Sequence, residues 1–283
     1  MFAIFLAAAA ALLSPAVAQA AGRAECRTVP SAILGRQVRY CILLPPSYDT
    51  EKMRRYPILY YLHGLGDNEQ SLVRSGGWEM IEQLWEQGKV GEFLIVTPAG
   101  GRSFYVNSRD GQERYEDFFM NEFVPTMEQR YRAVGARAAR GVGGTSMGGY
   151  GALRFAFKYP QQFASVTAHS AALFDDLPET ATALFGRNFG AFGQPLDGAY
   201  WRQNTPFALA RSASALAQLK IYFDCGTRDD YGFDAGAQQL HALLQQRKIP
   251  HEYHLYPGGH NWQYVAEHFD ESLAFHSRAF QKQ

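Results

Sequence analysis

The segment 144–149 constrains the fold of this chain more than any other stretch of its sequence. Its residues read GTSMGG, follow a short strand pattern over 140–143 and lead directly into a helical pattern over 150–158. A serine between a strand and a helix, with a glycine two residues before it and two after it, is typical of a tight turn that exposes the serine hydroxyl. The pattern is short enough to arise by chance. The rest of the chain must therefore decide whether Ser146 is a nucleophile or part of an ordinary glycine-rich loop.

Apolar runs that alternate with helical patterns give the fold class. Such runs predict strands buried on both faces of a mostly parallel sheet, and they occupy residues 56–62 and 93–97. Further strands are expected at 163–168, 219–225 and 251–256. Helical periodicity is expected at about 71–88 and 113–131. Two further strands, 27–34 and 36–45, are separated by Gly35 and read as an antiparallel hairpin. We predict an α/β fold with a mostly parallel sheet of about eight strands, helices on both faces and this hairpin at the N-terminus.

The first twenty residues differ in character from the rest of the chain. Residues 2–13 are apolar, Pro15 follows, and the segment ends in the small-residue pattern AQA at 18–20. We expect a secretory signal peptide over 1–20, although no lysine or arginine precedes the apolar run. A retained anchor is disfavoured because the run is shorter than the roughly 20 apolar residues of a membrane span. The mature protein is therefore predicted to be secreted or periplasmic, without a membrane span.

Residues 21–283 are predicted to form a single domain, because no linker-like composition interrupts them. The stretch from about 171 to 218 has no clear strand pattern, and loops of this length usually have a function. We expect it to form a cap that shapes a substrate pocket; an ordinary helical excursion over the sheet is the alternative. It is rich in aromatic residues, namely Phe174, Phe185, Phe189, Phe192, Trp201 and Phe207.

Charge and cysteine content narrow the possible partners and the compartment. The 27 basic residues balance 27 acidic ones, which argues against nucleic acid or an anionic membrane surface as the main partner. Cys26 and Cys41 lie on the two strands of the predicted hairpin and could approach each other there. The sequence leaves open whether they form a disulfide. Cys225 ends an apolar strand and is expected to be a buried small hydrophobe.

A nucleophilic serine requires a base within hydrogen-bond reach, and the base must be oriented by an acid. After an elbow of this kind the acid and then the histidine follow, on loops at the ends of later strands. His260 fits as the base because it lies in a turn after the last predicted strand. Asp229 is preferred as the acid because it lies beyond the strand end, whereas Asp224 is still inside the strand. Asp230 and Asp224 remain alternatives at this stage.

Backbone N–H groups should stabilise the oxyanion that develops during acyl transfer. We expect one from Met147, directly after the serine, and one from Leu65 in the loop HGLG at 63–66. Tyr105, Tyr231 and Trp262 are predicted to stand at the rim and to contact the substrate. No metal-ligand spacing and no nucleotide-binding motif occurs in the sequence, so no metal or organic cofactor is expected.

The combined motifs resemble the esterase family of α/β hydrolases, which includes esterase D, feruloyl and acetylxylan esterases, siderophore esterases and the antigen 85 mycolyltransferases. The resemblance covers roughly residues 27–280, and its markers are LPPSY at 44–48, YLHG at 61–64, GTSMGGYGAL at 144–153, CGTRD at 225–229 and GGH at 258–260. The resemblance implies Ser146 as nucleophile, His260 as base and Asp229 as acid, with an oxyanion hole formed by the N–H groups of Leu65 and Met147. These are the same assignments as those made from the spacing of the residues. Cytosolic S-formylglutathione hydrolases share the elbow, but the export signal and the lack of their usual cysteine-containing segment argue against them.

The sequence thus predicts a secreted serine carboxylesterase that forms an acyl-enzyme on Ser146. Feruloyl or acetyl esters of polysaccharide are the expected substrates, because the predicted rim is aromatic. An acyltransferase of the mycolyltransferase type and a non-catalytic binding protein on the same fold are the alternatives. The oligomeric state and the physiological ester cannot be read from the sequence.

Overall fold

An eight-stranded sheet is the centre of the protein, as seen in a computed structural model that describes residues 21–177 and 190–280. The strands lie in the order β1-β2-β4-β3-β5-β6-β7-β8. β1 and β2 form an antiparallel hairpin, β2 pairs antiparallel with β4, and the remaining pairs are parallel. The predicted fold class, with its N-terminal hairpin and about eight strands, is confirmed.

All strands except β2, which runs antiparallel to both of its neighbours, terminate at the same end of the sheet, where the loops that follow them meet. Their bounds are β1 Arg23–Ser31, β2 Arg36–Leu44, β3 Ile58–Leu62, β4 Leu94–Pro98, β5 Arg140–Thr145, β6 Ser165–His169, β7 Lys220–Gly226 and β8 Glu252–Tyr256. Each strand predicted from the sequence between residues 56 and 256 overlaps one of these strands, with bounds that differ by at most two residues.

Helices connect the strands and cover both faces of the sheet. They are α1 Ser71–Arg74, α2 Gly77–Glu86, α3 Tyr115–Phe118, α4 Val124–Arg130, α5 Met147–Lys158, α6 Gly198–Asn204, α7 Pro206–Ser212, α8 Phe233–Gln246 and α9 Trp262–Phe280. A π-helical turn, Phe119–Phe123, joins α3 to α4. The helix predicted at 71–88 is two helices, because the chain turns at Gly76, which has a φ of 86°.

The alternation of side chains along the strands divides the core between the two faces. In β3, Tyr60 and Leu62 point into a large cluster with α3, α4, α5 and α8. Leu59 and Tyr61 point the other way, into a smaller cluster with α2 and α9. Strands with both faces buried in this way account for the continuous apolar runs in the sequence.

The hairpin carries the disulfide that the sequence left open. Cys26 and Cys41 are directly opposed in the β1–β2 register and are joined by a disulfide. Cys225 is buried and unoxidised, as expected.

The predicted cap is described only in part. Residues 178–189, with Phe185 and Phe189, lie outside the described residues, as does the predicted signal peptide 1–20. Within the described portion, α6 and α7 pack on α5 rather than away from the domain: Trp201 of α6 stacks on Tyr150 with centroids 5.4 Å apart. None of the helices within 21–177 and 190–280 combines the length and the apolar character needed to cross a membrane.

Candidate active site

Ser146 lies on a sharp turn between β5 and α5, as the sequence predicted. Its φ of 57° and ψ of −118° are rarely adopted by a residue with a side chain, and such strain is concentrated at functional sites. The Ser146 N–H donates to the His169 carbonyl at 2.9 Å, which fixes the turn to the end of β6. A Cβ atom at Gly148 would lie 1.9 Å from the Leu62 carbonyl oxygen. The elbow therefore requires glycine at position 148, so that α5 can begin against β3.

Ser146, His260 and Asp229 form a continuous series of hydrogen bonds. His260 Nδ1 lies 2.7 Å from Asp229 Oδ2, and His260 Nε2 lies 3.0 Å from Ser146 Oγ. Because a carboxylate can only accept, Nδ1 carries the proton and Nε2 is left to accept from the serine hydroxyl. This is the tautomer that a general base must have to withdraw the serine proton.

The Asp229 carboxylate is buried and held at both oxygens. Oδ1 accepts from the backbone N–H groups of Tyr231, at 3.0 Å, and Phe233, at 3.4 Å. Oδ2 accepts from His260 and lies 3.6 Å from the Cys225 thiol. Burial alone would raise the pKa of Asp229, but the hydrogen bond from His260 and the two backbone donors outweigh it and hold that pKa below its ordinary value. The carboxylate therefore stays ionised.

The other two aspartates of this strand end have different partners. Asp230 is exposed, and its Oδ2 accepts from the backbone N–H of His260 at 3.1 Å. Asp224 is fully buried: Oδ1 accepts from the Tyr264 hydroxyl at 2.7 Å, and Oδ2 lies 2.7 Å from His169 Nδ1. Neither carboxylate contacts the His260 ring, so the geometry favours Asp229 among the three alternatives.

Two backbone N–H groups border the serine and have no acceptor among the described residues, namely those of Leu65 and Met147. The Met147 N–H is the first of α5, where helices leave donors unpaired. Leu65 is the second residue of a β-turn that the Asp67 N–H closes on the Gly64 carbonyl at 3.2 Å. Gly66 follows with a φ of 93°, as the third position of a type II turn requires. The turn uses the Asp67 donor and leaves that of Leu65 available.

His63 holds this turn to the loop after β4. Its Nε2 accepts from the Gly100 N–H at 2.8 Å, so the proton is on Nδ1, which lies 2.8 Å from the Gly64 carbonyl. Burial lowers the pKa of His63, and the ring is therefore neutral in this arrangement. Sequence reasoning placed His63 in the motif but gave it no role.

A cleft of about 530 Å³ opens over the serine. Its walls are the turn at 64–68, helix α1 and the start of α9, and its apolar lining residues are Tyr61, Leu65, Leu72, Trp262 and Val265. Trp262 thus lies where the sequence placed it. Tyr231 is 43% exposed and packs edge-on against the His260 ring, with centroids 4.8 Å apart, but it does not line this cleft.

The predicted position of Tyr105 at the rim is corrected by the structure. Tyr105 has no exposed surface, and its hydroxyl donates to the His63 carbonyl at 2.9 Å. Its ring packs so closely on Gly100 and Gly151 that a Cβ at either glycine would lie 2.5 Å from it. Tyr105 therefore supports the loop from within the core. The sequence shows Tyr105 only as an aromatic residue in a polar, glycine-rich loop, and this pattern does not indicate that the loop buries the ring.

Comparison with known proteins agrees with this geometry. The family described as "Putative esterase" matches residues 31–276, nearly the whole described chain. The chain belongs to the esterase family. Two curated members from Mycobacterium tuberculosis, Esterase Rv1288 and Esterase MT1326, are each 32% identical over 243 residues. The match covers 77% of this chain but 51% of each relative, so this chain spans about half the length of those proteins.

Solved structures resemble this chain over most of its length. A ferulic acid esterase has a TM-score of 0.80 at 25% identity and covers 92% of this chain and 99% of its own. The serine hydrolase FphF of Staphylococcus aureus, which binds fluorophosphonate, has a TM-score of 0.75 at 20% identity, with 91% and 99% covered. An S-formylglutathione hydrolase from Agrobacterium tumefaciens has a TM-score of 0.75 at 18% identity, with 95% and 99% covered. The last two similarities establish the fold alone.

Proposed function

We propose that this esterase is a serine carboxylesterase that works through an acyl-enzyme on Ser146. The observation that carries the proposal is the series from Asp229 through His260 to Ser146 Oγ, with bonds of 2.7 and 3.0 Å, ending in an open cleft. An activated serine of this kind requires a base and an orienting acid in that order, and both are present.

The reaction follows from the positions of the donors and acceptors. His260 Nε2 takes the serine proton as Oγ attacks the ester carbonyl, and Asp229 stabilises the resulting imidazolium. The developing oxyanion accepts from the N–H groups of Leu65 and Met147. His260 then gives its proton to the leaving alcohol. Water, activated by the same nitrogen, releases the acid and restores Ser146.

Replacement of Ser146 tests the proposal directly. Ser146→Ala should lower the turnover of p-nitrophenyl acetate by at least about 10³-fold, because the residual rate comes from the oxyanion donors and binding alone. The variant should keep the melting temperature of the native protein and should lose labelling by a fluorophosphonate probe. A Ser146→Ala protein with native turnover would contradict the assignment, and a native protein that is neither labelled nor active would favour a non-catalytic binding protein.

For the substrate we propose carboxylic esters with a flat or apolar component, such as feruloyl or acetyl esters of polysaccharide. The support is Trp262 in the cleft wall and the similarity to a ferulic acid esterase at 25% identity. Release of ferulate from methyl ferulate and of acetate from acetylated xylan would be compared. Transfer of the acyl group to an added sugar in preference to water would instead indicate an acyltransferase.

We also propose that residues 1–20 are a signal peptide and that the mature protein is secreted or periplasmic. The support from the described residues is the Cys26–Cys41 disulfide, because such bonds persist in oxidising compartments. Expression of the full sequence in a Gram-negative host should yield periplasmic protein whose N-terminus is Ala21. Cytoplasmic protein that retains Met1 would contradict this proposal.

A further inference from the structure

A carboxylate that the proposed reaction does not use stands beside the reacting serine. Asp67 is exposed and lines the same cleft as Ser146 and His260. The position of the carboxylate can be given relative to Gly64. A Cβ atom built at Gly64 would lie 3.2 Å from Asp67 Oδ2 and 3.5 Å from Ser146 Cβ. The carboxylate and the serine therefore border the same small space, next to the turn that carries the Leu65 donor.

The Asp67 carboxylate is held in place but is not neutralised. Its Oδ1 accepts from the Ser71 hydroxyl at 3.2 Å, and its backbone is fixed by the turn to Gly64. Within 21–177 and 190–280, no lysine or arginine nitrogen lies within 4.0 Å of it. Arg74 lines the same cleft without pairing with it. In the same part of the chain, Oδ2 has no hydrogen-bond donor.

A carboxylate oxygen with no protein donor among the described residues, in a cleft next to the reacting atoms, favours one kind of ligand group. It repels anions, and it accepts charge-assisted hydrogen bonds, which are about twice as strong as those between neutral groups. We infer that Asp67 determines specificity by accepting a hydrogen bond from a hydroxyl or ammonium group that the substrate carries close to its ester. The inference rests on the proposed esterase function. The donor can belong to the acyl group or to the alcohol, and the chemistry is the same.

A purely structural role of Asp67 explains the contact of one carboxylate oxygen but not the position of the other. The Ser71 hydroxyl and the turn explain Oδ1 and the backbone, but not Oδ2. The two roles predict different results for the replacement of each partner. If the Asp67 side chain serves only to bind the Ser71 hydroxyl, Ser71→Ala should have the same effect as Asp67→Asn. If Asp67 binds substrate, Ser71→Ala should leave the specificity in place.

The test compares esters that differ only in hydroxyl groups. In the acyl arm, ethyl butyrate is compared with ethyl 3-hydroxybutyrate, and in the alcohol arm propyl acetate with 2,3-dihydroxypropyl acetate, by acid release in a pH-stat. The native enzyme should prefer the hydroxylated ester in at least one arm. Asp67→Asn should lower that ratio of kcat/KM about tenfold, the loss expected when a hydrogen bond to a charged group is weakened. The arm that responds identifies whether the acid or the alcohol carries the donor.

Asp49→Asn is the matched control, because it removes one exposed carboxylate outside the cleft, where Asp49 pairs with Arg23. Its ratios should equal those of the native enzyme. Equal losses on both esters of a pair in Asp67→Asn, or an unchanged ratio, would overturn the inference while leaving the esterase function intact. A native protein that hydrolyses neither these esters nor p-nitrophenyl acetate would instead contradict the proposed function, and the inference with it.

Discussion

At the scale of single residues, three aspartates within seven positions have three different environments. Asp229 orients the His260 ring, Asp230 holds the His260 backbone, and Asp224 lies in the core between His169 and Tyr264. The same type of side chain thus contacts an imidazole ring, a backbone N–H group or two buried side chains, depending on its position along the chain at the end of β7. Only the contact of Asp229 can stabilise a positive charge on the imidazole during the reaction.

Amide replacements at these positions should separate the three environments. Asp229→Asn should lower kcat for p-nitrophenyl acetate by about 10³- to 10⁴-fold, because a neutral amide cannot stabilise the imidazolium and favours the wrong tautomer. Asp230→Asn should cost about tenfold or less, since it weakens a single bond to the backbone. Steady-state kinetics of the two purified variants checks this. A loss for Asp230→Asn as large as that for Asp229→Asn would contradict the assignment of the acid.

Among the secondary-structure elements, helix α5, which begins directly after Ser146, is joined to α3 by a buried ion pair. Arg154 on α5 donates to Glu116 on α3 at 2.7 Å and to the Asn204 side chain at the end of α6 at 2.6 Å. Burial alone would raise the pKa of Glu116, but Arg154, Lys158 and Tyr159 outweigh it and that pKa is lowered. The helix after Ser146 is therefore tied both to α3 and to the part of the predicted cap that is described.

Removal of the Glu116 charge should destabilise this junction strongly. Glu116→Gln leaves the buried guanidinium of Arg154 without its counter-charge, and the free energy of unfolding should fall by about 3–5 kcal/mol. Urea denaturation followed by circular dichroism measures it. The neighbouring Asp117 pairs with Arg114 at the surface, so Asp117→Asn should change the free energy by less than about 1 kcal/mol. Similar losses of unfolding free energy in both variants would show that the buried ion pair contributes no more to stability than the surface pair.

At the scale of the whole molecule, buried neutral histidines make stability depend on pH. His276 on α9 has no exposed surface and lies 2.7 Å from Ser165 Oγ and 3.0 Å from Thr167 Oγ1, which ties α9 to β6. Burial lowers the pKa of His276 to about 3. Burial also lowers the pKa of His63. Neither ring is charged in the folded protein at neutral pH.

Acidification should therefore favour the unfolded chain. An unfolded histidine binds a proton at a pH near 6.5, whereas folded His276 does so only near 3, so its contribution to stability is complete above pH 6.5 and is lost as the pH falls toward 3. The urea midpoint should decrease from pH 7 to pH 4 in the native protein and less steeply in His276→Gln, which keeps an amide for both hydroxyls but does not titrate. Parallel pH curves for the two proteins would contradict this prediction.

The fold could be predicted from the sequence because its signals are local. Apolar runs of five to seven residues specified strands buried on both faces, and the glycines around Ser146 specified a turn that no bulkier residue fits at position 148. The break between α1 and α2 was missed although the sequence carries a signal for it, because the adjacent Gly76 and Gly77 form a dipeptide that favours a turn. The predicted rim was partly wrong because exposure depends on packing: Tyr105 and Trp262 are both aromatic loop or helix-end residues, but only Trp262 lines the cleft.

The sequence by itself determined the α/β architecture, the elbow at Ser146 and the order in which serine, acid and histidine follow one another. These depend on the periodicity and turn chemistry of short segments. Only the tertiary structure decided which aspartate reaches the His260 ring, that Tyr105 is buried and that Asp67 stands beside the serine without a counter-charge. The physical reason is that each of these depends on contacts between loops far apart in the chain, where a change of one residue in position along the backbone redirects a side chain by several ångströms.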